Sequence, residues 1–414
     1  MDAVFQRKMT DAWQFVWGWL FDADIRLFYD YVTSRDHRRR FSALPHPDEI
    51  ARQFPNPCGW GTGMEDSMLN AGTAMEMLAC RFQVTSEPEP VRLAELLVDG
   101  MWRCSHVHGV PGFVARSISP EDRRSCYGNS SRDQFTWCVY GAWRFLRTFP
   151  GASPESRRQA RQLLIDIAGY CEKIIAAPAG GNLLRLDGQP ALVSEMVRNL
   201  GVHEVMRLPM FFAAAWEVTG DGHWFELYRR YAIPGIEQTR VLDPNLWWWD
   251  ISLSQMQLSL ALLAGVETER SLQDAYLRGM RETAELSERQ LAVELERAEN
   301  FSGGWEPMSV SWRTLPLSPC RLEDNRTPEA SVLFGGYPYY NPRFPEDIRL
   351  PGEILRAAGN YVGTILLAPD GRLPVAMARR LAAVYCCPDY RTFSSGAAIQ
   401  VLYGYWRGRL AGLW

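Results

Sequence analysis

Two kinds of helix alternate along this chain, and the alternation limits its fold more than any other feature. Segments such as SPESRRQARQLLIDIAGYCEKII and ETERSLQDAYLRGMRETAELSERQLAVELER carry charge along one side, the pattern of a helix with one wet face. Between them lie MLNAGTAMEMLAC, FTWCVYGAWRFL, LPMFFAAAWEV, ISLSQMQLSLALLAG and SSGAAIQVLYGYW. These are apolar nearly all round and rich in small residues, as a helix buried on every side must be. An inner helix shielded by an outer partner, repeated, describes a ring of helical hairpins. An open α-solenoid is the alternative, but no repeat consensus is visible.

Periodicity predicts about twelve helices, at roughly 9–34, 64–83, 89–107, 131–149, 154–176, 205–219, 221–238, 249–264, 267–299, 351–366, 374–386 and 394–411. β-branched alternating runs are scarce, so the expected class is all-α. The Gly/Pro/Tyr-rich stretch 301–350 lacks helical period and reads as a lid or a small β excursion. No Pro- or Ser-rich linker divides the chain, so residues 1–414 are expected to form one domain. At 414 residues that requires a closed architecture.

A net charge of −4 leaves no basic stripe for nucleic acid; the cluster Arg35–Arg40 is short enough to be a solvated helix end. Nine cysteines, none in a CxxC pair, read as buried reduced thiols. The N-terminus has charges before its apolar stretch and no small-residue cleavage site, and no run approaches ~18 apolar residues. A cytoplasmic protein without membrane association is expected. His106 and His108, at i and i+2, do not share a helix face, so no metal is expected there. Without a phosphate loop, dinucleotide fingerprint or nucleophile elbow, no cofactor is expected either.

The segment AAAWEVTGDGHWFELYRRYA (213–232) resembles a recurring hairpin of the six-hairpin (α/α)6 toroid glycosidase superfamily. Gly220 suits a left-handed helix end there, and Asp221 suits the next N-cap. GWGTGMEDSMLNAGTAMEML (59–78) and GFVARSISPEDRRSCYGNSSRDQFTWCVYGAWRF (112–145) are similar to segments of bacterial enzymes of uronic-acid glycans, β-glucuronidases among them. The resemblance implies one toroid with six hairpins and an oligosaccharide substrate. Related toroids also host lyases and epimerases, so the reaction stays open.

In such toroids the loops leading into inner helices ring one mouth. Those positions hold Glu65 and Asp66; Arg132 and Asp133; His203, Glu204 and Arg207; Trp247, Trp248, Trp249 and Asp250; Tyr337, Tyr339, Tyr340 and Arg343; and Asp389, Tyr390 and Arg391. Aromatic faces suit the C–H surfaces of sugars, and charged groups suit hydroxyls and carboxylates. Each residue has an ordinary alternative. Asp66 is also placed to complement a helix dipole, and Asp133 to cap with Ser130. His203 and Glu204 also fit a satisfied buried pair, and Arg116 a surface ion pair with Glu121 or Asp122.

The leading expectation is a hydrolase of a terminal uronic acid or related sugar, with Asp66 and Asp133 as the carboxyl pair and Glu204 a further acid. Arg116 is the expected carboxylate clamp. The rivals are a lyase, with Tyr127 or His203 as base beside Arg116, and a non-catalytic glycan-binding toroid.

Overall fold

The computed structural model describes residues 3–176, 180–197, 200–239, 242, 249–314, 318–321, 331–334 and 346–414. Thirteen α-helices are found among them: α1 (Ala3–Phe15), α2 (Pro47–Ala51), α3 (Ser67–Thr85), α4 (Pro88–Cys104), α5 (Arg132–Thr148), α6 (Pro154–Ala176), α7 (Arg207–Thr219), α8 (Gly222–Gln238), α9 (Asp250–Val266), α10 (Arg270–Asn300), α11 (Glu346–Leu367), α12 (Val375–Cys386) and α13 (Ser395–Leu410). Helices α3, α5, α7, α9, α11 and α13 each pack on the next, and α13 packs back on α3. That is a closed inner ring. Helices α4, α6, α8, α10 and α12 pack outside it, and α1 completes the outer layer against α12 and α13. The architecture is an (α/α)6 toroid, with its first and last helices adjacent.

The apolar helices are the inner ones. Every residue of α3 from Ser67 to Cys80 is buried, whereas α10 alternates buried and exposed positions along its length. Small residues let inner helices touch backbone to backbone. A Cβ at Gly72 of α3 would lie 2.2 Å from the carbonyl oxygen of Trp137 in α5, a distance no side chain tolerates.

Two departures from periodicity matter. The helix expected over 9–34 ends at Phe15, passes through a π-helical turn (Val16–Leu20) and becomes a hairpin of β1 (Phe21–Asp22) and β2 (Leu27–Phe28). The Asp22 carboxylate accepts the amides of Asp24 and Ile25, at 2.9 Å each, and so folds the turn. A second hairpin, β3 (Asn182–Leu184) with β4 (Pro190–Glu195), was not expected; Asp187 and Gly188 form its turn. In the stretch 301–350, β5 (Ser318–Arg321) and β6 (Ser331–Phe334) pair antiparallel, a small β excursion, while α11 starts ahead of Pro351. Among the described residues, no helix is long and apolar enough to cross a membrane.

Candidate active site

The starts of the inner helices meet at one mouth, as their hydrogen bonds show. The Asp66 carboxylate at the start of α3 accepts from the Gln134 amide of α5 at 2.8 Å. Arg207, opening α7, reaches Asp133 of α5 at 3.4 Å and Gln255 of α9. Asp250, opening α9, accepts from Asn360 of α11 at 2.7 Å and pairs with Arg356 at 3.2 Å. Asn70 of α3 donates to Ser395 of α13 at 2.8 Å.

Asp66 is the N-cap residue of α3, yet its side chain caps nothing. Its usual work is done by others. The Met68 amide donates to the Arg116 carbonyl at 3.2 Å, and the Leu69 amide to the Gln134 side chain at 3.0 Å. The first N–H groups of the helix are thereby satisfied, and the Asp66 carboxylate remains 34% exposed.

Three carboxyl groups gather here. Asp30, from the segment after β2, accepts the backbone amides of Glu65 at 2.6 Å and Asp66 at 3.0 Å. Glu65 is buried, and one of its oxygens accepts the Gly61 amide at 3.2 Å. Arg116 lies buried behind them, donating to the Glu65 carbonyl at 3.1 Å and facing Asp66 at 3.6 Å. One arginine does not offset three acids. Burial, then the Asp66 charge, holds Glu65 well above the usual carboxyl range. The same two causes push Asp30 up to about 7. Burial also raises Asp66, against the pull of Arg116.

These acids line a cavity of about 170 Å³. Tyr31, Trp137 and Phe393 contribute aromatic surface, and Pro307, Ser309 and Val310 of the strap after α10 form part of the wall. That strap is pinned by Trp312, which donates to the Ala43 carbonyl at 2.8 Å. Asn70, Asn360 and Gln400 also line the cavity, and each leaves one end of its amide buried without a hydrogen-bond partner. Four described carboxyls line the cavity, Asp30, Glu65, Asp66 and Glu353, against the arginines Arg349 and Arg356. Arg349 pairs with Glu353 at 2.6 Å and Arg356 with Asp250.

The structure thus brings Glu65, Asp66 and Arg116 together and adds Asp30, which falls within the helix expected over 9–34. Asp133 stands beside this group, near enough to raise Asp66, but it is not among the cavity-lining residues. Its helix is preceded by Ser131 as N-cap with no side-chain cap bond, so the expected Ser130 cap does not form. Arg116 points inward rather than to Glu121 or Asp122.

Several expected positions lie elsewhere. Glu204 is a buried ion-pair partner of Arg132, at 2.6 Å, and of Arg207, at 3.5 Å, outside the cavity lining. His203 packs against Glu204 at 3.8 Å, and burial with Arg207 lowers its pKa to about 4. The Tyr127 hydroxyl donates to the Phe54 carbonyl at 2.7 Å. Its ring lies so close under Gly59 that a Cβ there would come within 2.4 Å. Tyr127 is a wall support, and burial raises its pKa, both unsuited to a base. Arg391 is exposed on Asp389, at 2.7 Å, off the central cavity, although its neighbour Thr392 lines that cavity. Trp249 is exposed under the Arg356 guanidinium, 5.7 Å from its centroid. Trp247, Trp248, Tyr337, Tyr339, Tyr340 and Arg343 lie outside the described residues. Among the described residues, no group of three His, Cys, Asp or Glu is arranged to hold a metal ion.

No family model matches the chain, and no curated protein does. Solved structures similar to it include a GH76A alpha-1,6-mannanase from Salegentibacter sp. HEL1_6, at 11% identity and a TM-score of 0.37, covering 68% of this chain and 87% of that one. Another is a glycoside hydrolase family 76 protein (mannosidase) from Bacteroides thetaiotaomicron VPI-5482, at 10% identity and a TM-score of 0.43, covering 99% of this chain and 98% of that one.

Proposed function

We propose that this chain is a glycoside hydrolase that takes the end of a neutral oligosaccharide into the central cavity. Glu65 acts as general acid and Asp66 as the ionised carboxylate. One observation carries this reading: two consecutive residues present carboxyls of unlike environment to one cavity, Glu65 buried and held protonated, Asp66 partly exposed and faced by Arg116. Glycosidic cleavage needs that asymmetry. Glu65 gives its proton to the leaving oxygen as the C–O bond breaks. Asp66 bonds to the anomeric carbon, or takes a proton from the water that does; the first-formed anomer distinguishes the two routes.

Tyr31, Trp137 and Phe393 of the cavity lining suit the C–H faces of a sugar. A uronic-acid substrate is the finer alternative. The pairing of Arg116, Arg349 and Arg356 with carboxylates favours a neutral sugar over it. The lyase reading loses Tyr127 as its base to the Phe54 carbonyl.

The test is turnover of matched 4-nitrophenyl hexosides and glucuronide, followed by variants on the best substrate. Neutral glycosides should turn over faster than the glucuronide. Glu65→Gln should lower kcat/KM by ~10²–10⁴ for alkyl or sugar leaving groups, and by less for 4-nitrophenol, which departs without a proton. Binding without turnover across the panel would instead mark a glycan-binding toroid, and an unsaturated product a lyase.

A further inference from the structure

Asp30 occupies a position that the hydrolytic reading does not use. Its backbone ties two ends of the ring: its N–H donates to the Gly63 carbonyl at 3.0 Å, and its carbonyl accepts the Ser395 amide of α13 at 2.7 Å. Its side chain holds the amides of Glu65 and Asp66. We infer that Asp30 is the positioning residue of this site: its two carboxylate oxygens grip the consecutive peptides that aim Glu65 and Asp66, and place a third acidic group beside them. This rests on the hydrolytic reading for its catalytic consequence, not for the grip itself.

The geometry gives two effects. Each amide of the pair has one acceptor, and both acceptors belong to one rigid side chain, so the peptides carrying the two carboxyls are held as a unit. The added charge also opposes ionisation of its neighbours. Asp30 contributes to holding Glu65 protonated, after burial and Asp66. The other groups that bear on the trio are Arg116 from the loop before α5, Asp133 of α5, Arg356 of α11, Tyr31 beside Asp30, and Cys58 near Glu65. Of these, Arg116 and Arg356 pull towards the ionised forms, while Asp133 pushes Asp66 away from it.

The grip is tested on the unaltered protein by following the amide proton shifts of Glu65 and Asp66 against pH. An amide on a carboxylate resonates at lower field when that carboxylate is charged, so both signals should move together with one midpoint near 7. Independent movement, or no shared movement at any pH at which the protein stays folded, overturns the inference. The catalytic consequence is tested with Asp30→Asn on the best glycoside. Removing the neighbouring charge lets Glu65 ionise earlier, so the alkaline limb of kcat/KM should move to lower pH by ~0.5–1 unit. A merely structural role would lower the rate and leave the limb in place. If shared amide shifts are seen but no glycoside turns over, the hydrolytic reading fails and the grip stands. If Glu65→Gln abolishes turnover while the Asp30→Asn limb is unmoved, only the tuning role falls.

Discussion

Helix α3 carries two buried ionic clusters, one at its start and one at its middle, and the two are built on opposite rules. At the mouth, Asp30, Glu65 and Asp66 share the single buried guanidinium of Arg116. Three turns along, at ~15 Å by helical rise, the fully buried Glu76 is held by Arg144 and Arg407, each at 2.7 Å, and by the Tyr140 hydroxyl at 3.2 Å. There one acid has two arginines, and none of these groups lines the central cavity. Every oxygen of Glu76 is spoken for, while the mouth leaves Asp66 partly exposed and Glu65 protonated. A buried charge that serves the fold is fully hydrogen-bonded. Like charges left crowded beside a cavity cost stability and retain a proton that chemistry can use.

The largest effect should come from exchanging roles between the two clusters. Glu65→Gln should remove ~10²–10⁴ of kcat/KM on poor leaving groups and leave unfolding by urea unchanged or slightly improved. Glu76→Ala should do the reverse in kind. It strands the buried guanidinium of Arg407 and the half-buried one of Arg144 and should cost ~3–5 kcal/mol of folding stability, with kcat/KM retained in the fraction that stays folded. Loss of stability in the first variant and loss of turnover alone in the second would erase the distinction.

A smaller effect concerns pH. Asp30 is raised from 3.8 to about 7, so between those values the folded chain binds more protons than the unfolded one. Stability that is complete below pH 4 is therefore lost as pH rises through about 7. From pH 5 to pH 8 the wild type should lose about 1–3 kcal/mol relative to Asp30→Asn, which lacks this contribution; His108 and His203, both lowered to about 4, add an opposite slope common to the two proteins. A difference between the wild-type and Asp30→Asn curves that is flat, or of opposite sign, over this range would contradict the crowding of acids at the mouth. The smallest effect is expected at Arg391, whose exposed pair with Asp389 lies off the central cavity. Arg391→Ala should change neither Tm nor kcat/KM measurably; a selective loss on the glucuronide would return this arginine to the substrate.

Much of this was written locally. Charged stripes and all-round apolar runs set which helices are outer and inner, because burial must match hydrophobic period. Caps and turn residues placed most boundaries close to those observed, as at Gly220 and Asp221, where the Asp221 side chain accepts the His223 amide at 2.9 Å. The Asp187–Gly188 pair is a local turn signal for the β3–β4 hairpin. Glu65, Asp66 and Arg116 were recognisable as a Gly-rich acidic helix start and a loop arginine. Their relation was not, since Arg116 had equally good partners next to it in Glu121 and Asp122.

Asp30 gave no local signal at all. FYDYV reads as part of an apolar period, and its carboxylate acquires meaning only by meeting two amides 35 and 36 residues away. The same holds for the cavity amides, which come from α3, α11 and α13. Sequence alone determined the helices and the faces they bury, because those depend on neighbours within a turn or two. Only closure of the ring decided which acids crowd together and which become satisfied ion pairs, because burial and charge proximity are properties of space, and the chain order does not encode them.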